Sequence, residues 1–348
     1  MRVHGKWRRA IELAADHDAA IAIDQAILPR ALEDMKLVTL DEFARAIRDM
    51  HVRGAPLIGA TAAFGVAFAL RDDPAGLDRI CDVLRATRPT AVNLMWALDE
   101  MKRALADVAP SDRADAALAI AERIADDEVA RCEAIGTHGL PLIERAVRSD
   151  RPVRVLTHCN AGWLATVDWG TALAPIYKAC DAGIDVEVWV DETRPRNQGL
   201  LTAWELAQHG VRHTVIADNA GGHLMQHGLV DLCIVGTDRT TRGGDVCNKI
   251  GTYLKALAAH ANGVPFYAAV PSPSIDWTIE AGAEIPIEER SGDEVRTIQG
   301  VAILPAETAV ANPAFDVTPR ALVTGLITER GTCASTTEGL LGLFPERR

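Results

Sequence analysis

The sequence predicts an α/β protein in two parts. A mainly helical N-terminal domain over residues 1–148 is followed by a domain over residues 149–348 in which a parallel sheet is flanked by helices. Two observations carry this expectation. Before the stretch Glu144 to Arg151, apolar positions recur at helical spacing; after it, short apolar runs alternate with helical segments. Strands separated by helices imply parallel pairing, because a parallel connection needs a crossover, and strands covered on both faces read as near-continuous apolar runs.

Taken in order, Thr39 with Glu42 three residues on matches a capping box, and Phe43, Ile47 and Met50 then repeat at helical spacing, which predicts a helix over 40–50. Arg53, Gly54, Ala55 and Pro56 stand at the start of the apolar run PLIGATAAFGVAFAL, which ends at Leu70. That run is too short and too rich in small residues to span a bilayer, which needs about 20 residues; it predicts a buried helix. Arg88, Pro89 and Thr90 stand in the same way before AVNLMWALDEMKRALADVA, with Thr90 as the expected N-cap. RADAALAIAERIADDEVARCEAI is amphipathic and predicts a further helix, and ERAVRSDR, from Glu144 to Arg151, predicts a surface connection between the halves.

In the second half, Val153 to Cys159, Asp185 to Glu192, His213 to Asn219, Leu229 to Asp238 and Pro265 to Pro271 each read as a buried strand, separated by helical segments such as LLTAWELAQHG and NKIGTYLKALAAHA. The expected domain is Rossmann-like. Ligands of such sheets bind at the carboxyl ends of the strands. Four of these strands end in polar residues: Cys159-Asn160, Glu192-Thr193-Arg194, Asp218-Asn219 and Asp238-Arg239.

Composition narrows the function. A chain of 348 residues that is 48% hydrophobic and 24% charged is that of a globular protein, and a net charge of -12 argues against general affinity for nucleic acid or anionic membrane. An anionic ligand must be held by a local cluster of Arg, Lys and backbone N–H groups. The seven cysteines form no CxxC pair, so neither a disulfide framework nor a zinc site is expected. The N-terminal MRVHGKWRRAIELAADHD has no apolar core of signal-peptide length, so a cytoplasmic location is expected.

Candidate site residues are identified by position. Arg53, Gly54 and Ala55 bring a guanidinium, a close backbone approach and a helix N-terminus to one point, an arrangement that holds phosphate; Arg88 repeats it. Gln198, Asn248 and Lys249 add donors near helix starts. Asp245, after Gly243 and Gly244, reads as an N-cap, whereas Asp238 ends a buried strand, where partial burial raises a carboxyl pKa toward the range useful for acid–base work. Cys159 ends another strand and precedes a segment that can become helical, where a dipole could favour thiolate; His158 beside it reads as a satisfied core histidine.

Six motifs then carry a resemblance: RGAPLIG (53–59), THCNAG (157–162), DETRPRNQG (191–199), IADNAGGHLM (216–225), GTDRTTRGGDVCNKIGTY (236–253) and VPFYAAVPSPSIDWT (264–278). Together, in this order along nearly the whole chain, they resemble the S-methyl-5-thioribose-1-phosphate isomerase family, which also includes regulatory subunits of a translation-initiation exchange complex and a ribose-1,5-bisphosphate isomerase. The resemblance implies an aldose–ketose isomerase of methionine salvage acting on a sugar phosphate, with Asp238 as general acid/base, Cys159 supporting the transition state, and Arg53, Gly54, Ala55, Arg88, Gln198, Asn248 and Lys249 binding substrate. It implies no metal or organic cofactor and a homodimer. Trp163, where relatives carry a small residue, departs from the pattern and leaves two readings: substrate contact or packing. The alternatives are an isomerase of 5-deoxyribose 1-phosphate or ribose 1,5-bisphosphate, and a non-catalytic regulatory module, against which the retention of Cys159 and Asp238 weighs.

Overall fold

A computed structural model describes residues 1–348. Three antiparallel strands near the start, Ile11–Leu13, Ala20–Ile23 and Asp34–Leu37, form a small sheet that helical periodicity does not predict. Each is too short for alternation to register, and their connections carry no two-residue hairpin signal. Helices come next. α1 (Leu40–Arg48) starts at a capping box in which the Glu42 N–H donates to Thr39 Oγ1 at 3.3 Å and the Thr39 N–H to Glu42 Oε2 at 2.9 Å. α2 (Ala55–Asp72) is apolar all round because it is buried all round, packed by α1, by α3 (Leu77–Arg85), by α4 (Val92–Leu105) and by the 32-residue α5 (Arg113–Glu144). Its length and hydropathy would suffice to cross a membrane, yet Phe64, Phe68 and Leu70 are almost fully buried here, each burial contributing roughly 1.5–3 kcal/mol. The N-cap of α4 is Ala91, without a side-chain cap. Thr90 therefore lies one residue outside the position expected for it.

Beyond α5 the chain builds a seven-stranded sheet in the order Gly331–Cys333, Gly325–Thr328, Phe266–Ala269, Leu232–Val235, Val153–Thr157, Val186–Asp191 and Arg212–Ile216. All neighbours are parallel except the first pair. α6 (Ala174–Asp181), α7 (Gly199–His209), α8 (Ala220–Gln226) and α9 (Thr252–Ala261) are the helices between its strands. From Val153–Thr157 the next two strands run to one side and Leu232–Val235 to the other, so strand order reverses between these two neighbours. A single hydrophobic cluster joins the helical part to the sheet, from Phe43 and Phe64 through Ile176 to Val155 and Val188.

A second sheet of four strands, Ile275–Asp276, Arg239–Thr241, Val246–Lys249 and Phe315–Thr318, corrects two expectations. Asp245 does not cap a helix. It closes the hairpin between Arg239–Thr241 and Val246–Lys249, its N–H donating to Thr241 Oγ1 at 3.0 Å and its carboxylate accepting the N–H groups of Gly282 and Arg320, both at 2.8 Å. Asn248 and Lys249 sit in a strand paired along its length with Phe315–Thr318, and α9 begins only after Gly251, whose φ is 103°. Val246 and Cys247 are buried between two partner strands, and that pairing overrides the helical character of the segment.

Candidate active site

Strands Val153–Thr157 and Leu232–Val235 pair with Val155 opposite Leu232 and Leu156 opposite Cys233, so their carboxyl ends lie side by side. The residues just beyond those ends, Cys159 and Asp238, therefore face one cleft at the point where strand order reverses. Arg53, Gly54, Ala55, Arg88, Gln198, Asn248 and Lys249 line the same cleft, which has a volume of about 110 Å³. The nine residues expected to react or to bind thus come together, drawn from α2's start, the loop before α4, two strand ends, α7's start and the second sheet.

Burial pushes the Asp238 carboxyl above its ordinary range, while Lys249 and Arg88 pull it partly back. Burial likewise pushes the Cys159 thiol up, against the opposing pull of Lys249 and Arg53. This corrects the thiolate expectation: the segment after Cys159 forms only a single 3-10 turn, Trp163–Ala165, too short for a useful dipole. Cys159 holds a left-handed φ of 67°, clamped on both sides, its N–H donating to Thr193 Oγ1 at 2.9 Å and its carbonyl accepting from Thr202 Oγ1 at 2.8 Å.

The cations are poised for an anion. Burial pushes the Arg53 guanidinium down to about 10, and burial also lowers Lys249, whose ammonium lies 4.1 Å from the Phe315 ring centre. Arg88 reaches Glu288 at 3.4 Å, and its Nε is buried without a partner. Gln198 caps α7 and its buried Oε1 is also unpartnered. At Gly54, with φ 97°, a Cβ would lie 2.2 Å from the Ala165 carbonyl oxygen, so only glycine lets α2's start meet the turn after Cys159.

His158 is a core residue, its Nδ1 bonded to Asp191 Oδ2 at 2.8 Å and its Nε2 to the Ile250 carbonyl at 2.8 Å. His158, Asp191 and Asp218 lie close enough together to hold a metal, but the Lys255 ammonium occupies that position, 3.1 Å from Asp191 and bonded to the Asp218 carbonyl. Trp163 is buried against Trp204, with ring centres 6.0 Å apart, and does not line the cleft; its role is packing. Three residues escaped the sequence. Arg239 donates to the Thr90 carbonyl at 3.0 Å and to Asp276 at 3.2 Å, tying the Arg88 loop to the strand after Asp238. Glu288 holds Arg88, and Glu205 lies beneath the Cys159 loop. Only Glu205 left a signal, as the one acid within the apolar LLTAWELAQHG.

Comparison with known proteins agrees with this geometry. The sequence pattern of the Initiation factor 2 subunit family matches residues 51–335. The chain belongs to that family. Among relatives within it, a methylthioribose-1-phosphate isomerase of Methylobacterium nodulans is 62% identical, over 100% of this chain and 99% of the relative. One of Cereibacter sphaeroides is 64% identical, over 99% of this chain and 98% of the relative. The crystal structure of 5-methylthioribose 1-phosphate isomerase from Pyrococcus horikoshii is similar with a TM-score of 0.88 at 39% identity, covering 98% of this chain and 97% of that one. The family's other branch is similar in fold too: the delta subunit of translation initiation factor eIF-2B from A. fulgidus has a TM-score of 0.84 at 38% identity, covering 97% of this chain and 100% of that one.

Proposed function

We propose that this chain interconverts S-methyl-5-thioribose 1-phosphate and S-methyl-5-thioribulose 1-phosphate, the aldose–ketose step of methionine salvage. The observation that carries the reading is one cleft in which Cys159 and Asp238 face two buried cations that form no ion pair, Arg53 and Lys249, beside Arg88 with its free Nε. Those groups bind the phosphate, with Gly54, Ala55, Gln198 and Asn248 as further donors or close backbone surfaces. The phosphate occupies the anomeric oxygen, so the ring needs acid assistance to open. Asp238, raised by burial, gives its proton to the ring oxygen as the bond to C1 breaks. Hydrogen then passes from C2 to C1, and the 2-hydroxyl returns its proton to the Asp238 carboxylate, which closes the cycle. The Cys159 thiol, its pKa raised by burial, supports the transition state from its place in the cleft rather than acting as a base.

The reaction draws on no metal or organic cofactor. The 1–148 and 149–348 segments act as two domains meeting at the cleft, and the working form is a cytoplasmic homodimer; the exposed apolar face of α9, with Tyr253, Leu254 and Leu257, supports an interface between copies. Neither nucleic acid nor membrane is a partner, in keeping with the net charge of -12.

The test is an NMR time course of the purified chain with methylthioribose 1-phosphate, run in parallel with 5-deoxyribose 1-phosphate and ribose 1,5-bisphosphate. Rapid loss of the anomeric proton signal of the first is expected. Turnover of only one of the others would move the substrate, and inertness toward all three would place the chain with the regulatory branch. Substrate deuterated at C2 is expected to keep its label at C1 in light water; wash-out would replace direct transfer with proton abstraction.

A further inference from the structure

We infer that Glu205 is a positioning residue whose buried carboxylate sets the place of the Cys159 loop against the anion cradle at Gly54. The inference rests on the catalytic reading of Cys159 given above. Glu205 lies in α7, fully buried, with both carboxylate oxygens occupied by donors. Oε1 accepts from Asn160 Nδ2 at 2.8 Å and from the Leu164 N–H at 3.1 Å. Oε2 accepts from the Trp163 N–H at 2.8 Å and from the Tyr177 hydroxyl at 3.0 Å. Three of the four donors belong to the segment immediately after Cys159.

The same helix holds Cys159 itself. Thr202, one turn before Glu205, donates to the Cys159 carbonyl and accepts from Asn160 Nδ2 at 3.2 Å. Two side chains on one face of α7 therefore fix both ends of the loop from Cys159 to Leu164. Gly162 shows how closely the loop is drawn down: a Cβ there would fall 1.8 Å from Glu205 Oε2. The loop in turn carries the rest of the cleft. The Leu164 carbonyl accepts from Gln25 Nε2 at 2.6 Å, and Ala165 meets Gly54, the residue after Arg53. A shift of the Trp163–Ala165 turn is thus transmitted both to the thiol and to the start of α2.

Burial raises the Glu205 carboxyl to about 7, against the pull of its donors. Three of those partners, Asn160 Nδ2 and the Trp163 and Leu164 N–H groups, can only donate, so they hold the loop most tightly when the carboxylate is ionised.

Glu205→Gln separates positioning from bulk stability. The amide turns one acceptor oxygen into a donor; turned toward Tyr177 it can donate to that hydroxyl, but it faces the Trp163 N–H, so at least one bond to the loop is lost while size is kept. The Tyr177→Phe control removes only the bond that does not reach the loop. For Glu205→Gln, kcat is expected to fall about 100-fold, the scale of a small misplacement of reacting groups, with KM changed much less. The rate of Cys159 alkylation by iodoacetamide, read by peptide mass to distinguish it from the partly exposed Cys180 and Cys333, should shift several-fold. Tyr177→Phe should lower Tm while leaving kcat and alkylation as in the parent. Should Glu205→Gln fail to fold, Glu205→Asp, which keeps the charge but withdraws both oxygens by one methylene, carries the same test. Equal kcat losses in the Gln and Phe variants at equal Tm loss, or unchanged alkylation, would overturn the inference. A parent chain inert toward methylthioribose 1-phosphate whose alkylation still responds to Glu205→Gln would instead sink the catalytic reading and leave the positioning intact.

Discussion

At the scale of single residues, the proposed reaction turns on Asp238. An acid that protonates the ring oxygen must carry a proton, and burial favours this by raising the carboxyl above its ordinary range, against the pull of Lys249 and Arg88. Removing general acid catalysis costs about 10²–10⁴ in rate, so Asp238→Asn is expected to lose that much kcat in the NMR assay while keeping the parent circular-dichroism spectrum. The pH dependence has a definite sign. The protonated form is the active one, so kcat/KM falls as pH rises through the raised pKa, and this alkaline limb is absent from the residual activity of Asp238→Asn. A limb in the ordinary carboxylate range would remove Asp238 from the acid role. Asp238 and Cys159 could be read from the sequence because each terminates an apolar run, whereas Arg239 and Glu288 could not, since their partners lie 149 and 200 residues away and nothing local announces them.

Elements position these side chains, and two of them invite tests. The start of α2 is fitted to the turn after Cys159 by a glycine in a left-handed conformation with no room for a Cβ. Gly54→Ala is expected to cost about 1–3 kcal/mol in chemical denaturation through strain and to raise KM by opening the anion cradle. Parent-like values of both would mean that α2 does not depend on this contact. In α5, Glu128 is 3% exposed, and burial raises its carboxyl to about 7 despite Arg131 and Cys132, with Glu329 adding to the rise. A carboxyl whose folded pKa lies above its unfolded value favours folding while protonated, and that contribution is lost as pH rises through the folded pKa, between about 4.5 and 7. Glu128→Gln should therefore raise Tm at pH 8 and change it little at pH 5; the opposite trend would show that the Arg131 ion pair outweighs desolvation. Four of the sheet strands, Val153–Thr157, Val186–Asp191, Leu232–Val235 and Phe266–Ala269, were legible because burial makes them nearly continuous apolar runs; Arg212–Ile216 is an edge strand and largely exposed, and Gly325–Thr328 and Gly331–Cys333 were not read. The strands near the N-terminus and the Asp245 hairpin were not, because their runs are only three or four residues long and show no clear alternation.

For the whole molecule, one core spans both halves of the chain while the cleft gathers residues from position 50 to position 315. Sedimentation at micromolar concentration is expected to give twice the monomer mass, and Leu254→Glu with Leu257→Glu on the open face of α9 to return it to the monomer; a parent chain already monomeric would exclude that interface. The alternation of strands and helices made five of the main sheet's seven strands readable in advance, but not the second sheet, whose strands come from three separated stretches, the hairpin Arg239–Lys249, Ile275–Asp276 and Phe315–Thr318. The way the two reactive side chains are anchored sets the reaction apart from the fold. Asp238 and Cys159 open onto the cleft and are bonded to the protein only through their backbones, Asp238 to Cys247 and Cys159 to Thr193 and Thr202. The charged network of His158, Asp191 and Lys255 that anchors the same strand end is separate from them. Chemistry and architecture thus rest on different side chains: replacing Asp238 and Cys159 should silence the proposed reaction while leaving the strand ends and the cleft standing.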